Sequence, residues 1–222
     1  LSAVDPTSNG VASGVDRIEV AIDGGTFAPY VSALTFAEGR HTILFRAIDR
    51  VGNVEATRRL DLQSDNTPAV TAFTPSGTLF MAGERSYAPA LFTYSLPAQD
   101  PVAGNVTSGV AFTNYRTGQD VYQNFVSAFS LSEGVRRVEF QSQDNVGNLE
   151  LLKSATIFVD ATSPVSALAI GNPKFDPGSG RPVFVAAATP LTLNALDTEV
   201  QAVASGVRLI SFRRGTDAFA SY

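Results

Sequence analysis

DRVGNVE at residues 49–55 returns as DNVGNLE at residues 144–150, and this recurrence decides how the chain is read. Working outward, Glu38-Gly39 returns as Glu133-Gly134 at the same offset of 95. Ser13-Gly14-Val15 returns as Ser108-Gly109-Val110 after 95 residues and as Ser205-Gly206-Val207 after 97 more. Asp5, Asp100 and Asp197 each stand eight residues before those serines, and Tyr30, Phe125 and Tyr222 each stand seventeen after. Landmarks held in step over such a distance mark internal repetition, with a period too long for a solenoid.

Within one period the local pattern is that of short strands. Ile18, Val20 and Ile22 alternate with Glu19 and Ala21 and stop at Asp23-Gly24-Gly25, a hairpin signal. Ile43, Phe45 and Ala47 alternate along 41–48, with Val138, Phe140 and Ser142 as their copies. No segment holds a helical period over ten residues, and Gly and Pro together make 30 of 222 positions. Strands divided by turns at this spacing, in a period near 95, fit an immunoglobulin-sized sandwich of about 100 residues. In immunoglobulin lettering the first unit has strand B at 1–4, C at 15–22, C′ at 26–30, E at 31–36, F at 41–48 and G at 55–62. Its strand A falls before residue 1. The expected fold is all-β: tandem immunoglobulin-like sandwiches, one complete unit (66–160) flanked by two incomplete ones (1–65, lacking its first strand, and 161–222, stopping after C′). The second unit has Thr117-Gly118-Gln119 where the first has Asp-Gly-Gly, which weakens the hairpin signal there.

Composition narrows the chemistry. With 44% apolar and 17% charged residues the chain can bury a core. Sixteen basic against 21 acidic side chains leave a net charge of −5, without the basic face that nucleic acid requires. There is no cysteine, hence no disulfide framework, thiol chemistry or cysteine zinc site. A single histidine rules out any histidine-pair metal site. The opening LSAVDPTSNG is not a signal peptide, and the longest uncharged stretches, 161–173 and 182–196, fall short of a spanning helix and contain breakers, so no membrane insertion by this segment is expected.

The units are joined by QSDNTP at 63–68 and VDATSP at 159–164. Each ends a strand on polar turn formers and then a proline, which makes a short, stiff joint and an array expected to be a rod. The layout resembles the tandem immunoglobulin-like repeats of large bacterial secreted and cell-surface proteins. The resemblance rests on Asp5 with Ser13-Gly14-Val15, on DGGTFAPY at 23–30, on EGRHTI with RAIDRVGNVE between 38 and 55, on the linkers, and on TPLTLNALD at 189–197. It covers nearly the whole chain. It implies an extracellular or cell-surface setting, and partners that are neighbouring repeats of the same or identical chains or surface glycans.

In a sandwich of this topology the linker, the B–C loop and the F–G loop share one end, which gathers Asp65, Asp100 and Asp144. Three carboxylates together need neutralising, and the resemblance implies Ca²⁺ at such joints, since that ion takes 6–8 oxygens. Equally, each Asp can cap its own turn by accepting backbone N–H bonds. His41 is the one available imidazole base, but Arg136 occupies its position in the next unit, so a solvent-facing strand residue is expected and no catalytic residue is assigned. Glu38 and Glu133 sit in E–F turns, and Glu55 and Glu150 open G strands; their once-per-unit recurrence suits a role in the fold better than a glycosidase pair. Tyr87, Phe92, Tyr94, Tyr115 and Tyr122 are candidates for a sugar platform, although tryptophan is absent, and Phe45 and Phe140 read as core. Asn105-Val106-Thr107 matches a glycosylation acceptor, incidental in a bacterial setting. The stretches 70–100 and 165–197 are longer than two strands and a turn require. They are either a strand A split in two or a variable loop for binding.

The function expected from these features is a non-catalytic spacer array. The alternatives are a fibre, sheath or surface-layer subunit assembled by strand donation, and an adhesive or carbohydrate-binding module using the A–B loops.

Overall fold

The computed structural model describes residues 1–222, which form 21 short strands and no helix. In the first segment, β1 (Val15–Ile22), β2 (Ala28–Pro29), β3 (Gly39–Asp49) and β4 (Arg58–Ser64) make one antiparallel sheet in the order β2-β1-β3-β4. β1 runs the length expected of it, with the buried Val20 opposite Phe45 of β3 and Ile22 opposite the buried Ile43. The turn after it has φ of 49° at Asp23 and 79° at Gly24, the two left-handed positions a two-residue hairpin loop demands.

The middle segment holds β5 (Val70–Thr71), β6 (Thr74–Pro75), β7 (Phe80–Ala82), β8 (Arg85–Pro89), β9 (Thr93–Ser95), β10 (Ala98–Gln99), β11 (Val110–Thr117), β12 (Gln123–Asn124), β13 (Phe129–Ser130), β14 (Gly134–Asp144) and β15 (Lys153–Asp160). One sheet runs β12-β11-β14-β15-β8-β7, a second β13-β9-β6, and β10 pairs β5. β8 lies parallel to β15, with Phe158 opposite Tyr87 and Val159 opposite Ala88. The last segment has β16 (Val165–Ile170), β17 (Lys174–Phe175), β18 (Phe184–Val185), β19 (Leu191–Leu196), β20 (Ser211–Phe212) and β21 (Ala220–Ser221), paired β16-β19, β17-β18 and β20-β21. The all-β class expected from the sequence is what forms, in several sheets consistent with a β-sandwich.

By packing, the chain divides into two compact units. One is Leu1–Ala72 with Pro97–Asn114 and Phe140–Leu152; the other is Phe73–Leu96 with Tyr115–Glu139 and Lys153–Tyr222. The second unit is built round Tyr94, Leu96, Leu131, Val138, Ile157 and Val159, all buried. Tyr94 stacks on Phe73 at 5.3 Å, and Tyr115 stacks on Phe129 at 4.5 Å. In the first unit a buried polar chain links Thr71, Ser142 and Thr113 by their hydroxyls. Glu150, 6% exposed, clamps it by accepting from Thr71 N (3.0 Å) and Ser142 N (3.1 Å). This satisfies the donors of two strands with one carboxylate.

Several sequence expectations are corrected. Residues 1–4 and 31–36 form no strand, because neither finds a backbone ladder; within 31–36 the Phe36 carbonyl accepts the Ser64 hydroxyl and the Phe36 ring lies 5.0 Å from that of His41. C′ shrinks to Ala28–Pro29, with Tyr30 N donating to Ile18 O (2.8 Å) at its end. The middle-segment hairpin forms despite lacking Asp-Gly-Gly, since Gly118 supplies a φ of 58°. The long stretch 70–100 is divided into six short strands, β5 to β10. β5 and β6 pair β10 and β9, while β7 and β8 form a hairpin added to the edge of β15.

Candidate functional site: an acidic corner at Asp65, Asp100 and Asp144

Asp65 follows β4, Asp100 follows β10 and Asp144 closes β14, so three strand ends deliver three carboxylates to one place, all within the first compact unit. One oxygen from each lies within 4.8 Å of the others. The sequence placed these three together, and the structure does too.

Their bonding is uneven. Asp144, 2% exposed, is saturated: Oδ1 accepts from the amides of Val146 (3.1 Å), Gly147 (2.7 Å) and Asn148 (2.8 Å), and Oδ2 from Asn148 Nδ2 (2.6 Å). It caps its own turn. Asp49 does the same 95 residues earlier, accepting from Val51 N, Asn53 N and Asn53 Nδ2. Asp65 Oδ1 accepts from Thr67 N, while its Oδ2 reaches Ser108 N at 2.6 Å. The hydroxyl and amide of Ser108, with Thr67 N, hold the Asp65 carboxyl below the usual carboxylate range despite burial. Asp100 Oδ2 takes Thr107 Oγ1 (2.8 Å), Ser108 Oγ (3.4 Å) and Gly109 N (2.7 Å). Its other oxygen, Oδ1, is buried with no hydrogen-bond partner.

The same construction recurs further along the chain. Asp160 Oδ2 accepts Ser205 N at 2.7 Å, and Asp197 Oδ2 accepts Gly206 N at 2.6 Å. Asp197 Oδ1 is again buried and unpartnered. Burial pushes the Asp160 carboxyl up, but the bonds from Ser205 and Thr162 outweigh it and leave it below the usual range. Adjacent amides of a Ser-Gly pair are thus shared between a linker carboxylate and a loop carboxylate at both places. In the first segment Asp5 alone serves Gly14 N, at 2.7 Å.

The linkers carry a second tie that sequence reading missed. Glu38 Oε2 accepts Asn66 N (2.8 Å) and Thr67 Oγ1 (3.0 Å); Glu133 Oε1 accepts Ala161 N and Thr162 Oγ1 (2.6 Å). The signal available was the fixed distance of each Glu from the Thr of the following linker, 29 residues in both cases. Backbone contact completes the corner: a Cβ on Gly104, at φ 52°, would lie 3.0 Å from Glu38 O and 3.1 Å from Gly39 Cα.

His41 is not the solvent-facing residue expected. Its side chain is 14% exposed; Nδ1–H donates to Asp23 Oδ2 (2.8 Å) and Nε2–H to Ala37 O (3.0 Å). Asp23, then the Ala37 carbonyl, raise its pKa and favour the imidazolium. Arg136 donates to Ser132 O, the carbonyl 95 residues after Ala37 O, so two cations brace the same turn. The tyrosine platform is corrected for three of its members: Tyr87, Tyr94 and Tyr115 are buried, Tyr94 and Tyr115 stacked on Phe73 and Phe129 and Tyr87 tilted against Phe158, because their strands turn these rings inward, while Tyr122 stays exposed. Glu55 binds Ala47 N and Arg58, and Glu150 is the clamp described above. No helix is long and apolar enough to cross a membrane.

Comparison with protein-family models and with curated proteins finds no match to this chain.

As a cation corner, the three acids fit in one respect and not in another. Asp144 has spent its oxygens on its own turn. Asp100 Oδ1 is an orphaned buried acceptor, and the separation of the three oxygens suits a shared ion.

Proposed function

We propose that the chain is a non-catalytic stretch of tandem immunoglobulin-like sandwiches serving as a structural spacer in a large extracellular or cell-surface protein. The observation that carries this reading is the repeated joint. Linker Asp to Ser amide is 2.6 Å at Asp65–Ser108 and 2.7 Å at Asp160–Ser205, with a turn Glu tying each linker's Thr. Two linkers fixed alike suit an element whose work is to hold orientation. The strand order of the middle segment, with a parallel β8 on the edge of β15, supports the immunoglobulin-like reading. The two linker carboxyls, Asp65 and Asp160, are both held below the usual carboxylate range by bonds from Ser108 and Ser205, as groups committed to a joint would be. Small-angle scattering of the dilute chain tests the role: a spacer gives an elongated particle, and a compact one refutes it.

Within this reading Ca²⁺ would be the cation for the acidic corner formed by Asp65, Asp100 and Asp144, with Asp65 and Asp100 holding it and Asp144, committed to its own turn, contributing charge alone, and it would neutralise and stiffen the joint. The support is the buried, unpartnered Asp100 Oδ1. Melting in millimolar Ca²⁺ against chelator tests it, and equal melting temperatures rule the ion out.

A further inference from the structure

Aspartate stands before proline at three places, Asp5-Pro6, Asp100-Pro101 and Asp176-Pro177. The bond inside that dipeptide is open to attack by its own side chain. The carboxylate can close a ring on the carbonyl carbon of the same residue, and the leaving nitrogen belongs to a tertiary amide without an N–H. The fold treats the three bonds differently. Asp100 and Pro101 lie in the loop between β10 and β11, where Gly104 and Asn105, at φ 52° and 60°, turn the chain back on itself. Ala103 and Val106 exchange both backbone hydrogen bonds across that turn, at 3.0 and 2.8 Å. Thr107 is thereby carried back to Asp100. Its hydroxyl is shared between Asp100 Oδ2, at 2.8 Å, and the carbonyl oxygen of the Asp100–Pro101 bond, at 3.3 Å. Carboxyl and carbonyl of one residue are thus drawn to one donor. Ser108 Oγ and Gly109 N also bind Oδ2, and Oδ1 is left buried with no partner. The related positions lack part of this set. Asp5 precedes Pro6 but has Ala12 where Asp100 has Thr107; Asp197 precedes Thr198 and has Ala204 there; Asp176 is exposed and gives its Oδ1 to Gly178 N.

We propose that the Asp100–Pro101 peptide bond is a self-cleavage site. Oδ1 adds to the Asp100 carbonyl carbon, and the carbonyl oxygen takes the developing negative charge beside the Thr107 hydroxyl. The C–N bond to Pro101 then breaks with its electron pair on the proline nitrogen, which takes a proton from solvent. A cyclic anhydride remains on Asp100, and one water molecule opens it to two carboxyl groups. The products are a chain ending at Asp100 and a chain beginning at Pro101, with one water consumed. Nucleophile and carbonyl share one residue and one donor, which makes the attack intramolecular and oriented. The reaction takes no outside substrate and each chain undergoes it once, so it is independent of the spacer role. An ion on Oδ1 would occupy the nucleophile, so cleavage is followed in chelator.

The whole chain is incubated in mildly acidic buffer with chelator, folded or unfolded in urea, and followed by intact mass and by sequencing of new amino termini. In the folded chain, fragments meeting at Asp100–Pro101 accumulate ahead of any at Asp5–Pro6 or Asp176–Pro177, and urea removes that preference. Hydroxylamine traps the anhydride as a hydroxamate on Asp100. Thr107→Val slows cleavage there about 10- to 100-fold, as loss of a donor to the developing oxyanion should. Pro101→Ala, which leaves every bond to the Asp100 carboxyl in place, stops it. A folded chain that stays whole overturns the proposal, and so does equal cleavage at all three bonds. A Thr107→Val protein that is folded by circular dichroism and cut at the wild-type rate overturns it as well.

Discussion

Asp100→Asn is the substitution that most sharply separates a repulsive acid pair from an ion site. The side chain keeps its shape, so the amide oxygen takes the place of Oδ2 and continues to accept Thr107 Oγ1 and Gly109 N, now 2.8 and 2.7 Å away. The amide nitrogen takes the place of the buried orphan oxygen. In wild type the facing oxygens of Asp65 and Asp100 lie within 4.8 Å, and two charges at that distance repel by about 3.5 kcal/mol at an effective dielectric of about 20. Amidation removes that repulsion. Against the gain stands lost charge assistance at the two short bonds, about 1 kcal/mol each. The net is a stabilisation of about 1–2 kcal/mol in chelator, which raises Tm by about 2–8 °C. Added Ca²⁺ reverses the order. An ion present at about 100 times its dissociation constant adds about 2.7 kcal/mol to wild type and none to a variant lacking the Asp100 carboxylate. Differential scanning calorimetry of both proteins, in chelator and in millimolar Ca²⁺, reads all four values. If Asp100→Asn melts below wild type in chelator, the two carboxylates do not repel and the reasoning fails.

Three further expectations follow from the same geometry. Glu150→Gln leaves one of two buried amide donors, at Thr71 or Ser142, facing an N–H, and should cost about 2–4 kcal/mol in urea unfolding; Glu55→Gln, with a half-exposed side chain, should cost less than about 1 kcal/mol, and equal costs would refute the clamp. Gly104→Ala places a Cβ against the Glu38 backbone at a left-handed φ and should destabilise by about 2–3 kcal/mol, whereas Gly10→Ala, also left-handed but with open space, should cost only about 1 kcal/mol; hydrogen exchange at residues 38 and 39 locates the effect. The pKa of His41 is raised in the folded state, so its stabilisation is complete below the unfolded value near 6.5 and is lost as pH rises through the folded value. His41→Gln should therefore lower Tm at about pH 5.5 and match wild type near pH 9, and a deficit that persists at the alkaline end would show that the charge is not what braces the turn.

What was legible in the sequence was whatever depends on neighbours along the chain. Alternation at Ile18, Val20 and Ile22 gave β1, and Asp23-Gly24 gave its turn, because side-chain period and φ preference are local properties. The meeting of Asp65, Asp100 and Asp144 was also legible, since the expected sandwich topology puts the linker, the B–C loop and the F–G loop at one end. Tertiary structure alone decided how each acid is used. Asp144 binds only its own turn, Asp65 crosses to Ser108, and Asp100 is left with a bare buried oxygen. The burial and the donors that decide this come partly from residues far along the chain, as Ser108 does for Asp65, and no local pattern encodes them. The same reason explains why His41 and Arg136, chemically unlike, do one job. The sequence records a cation at that step of the repeat, and only packing shows the carbonyl it holds.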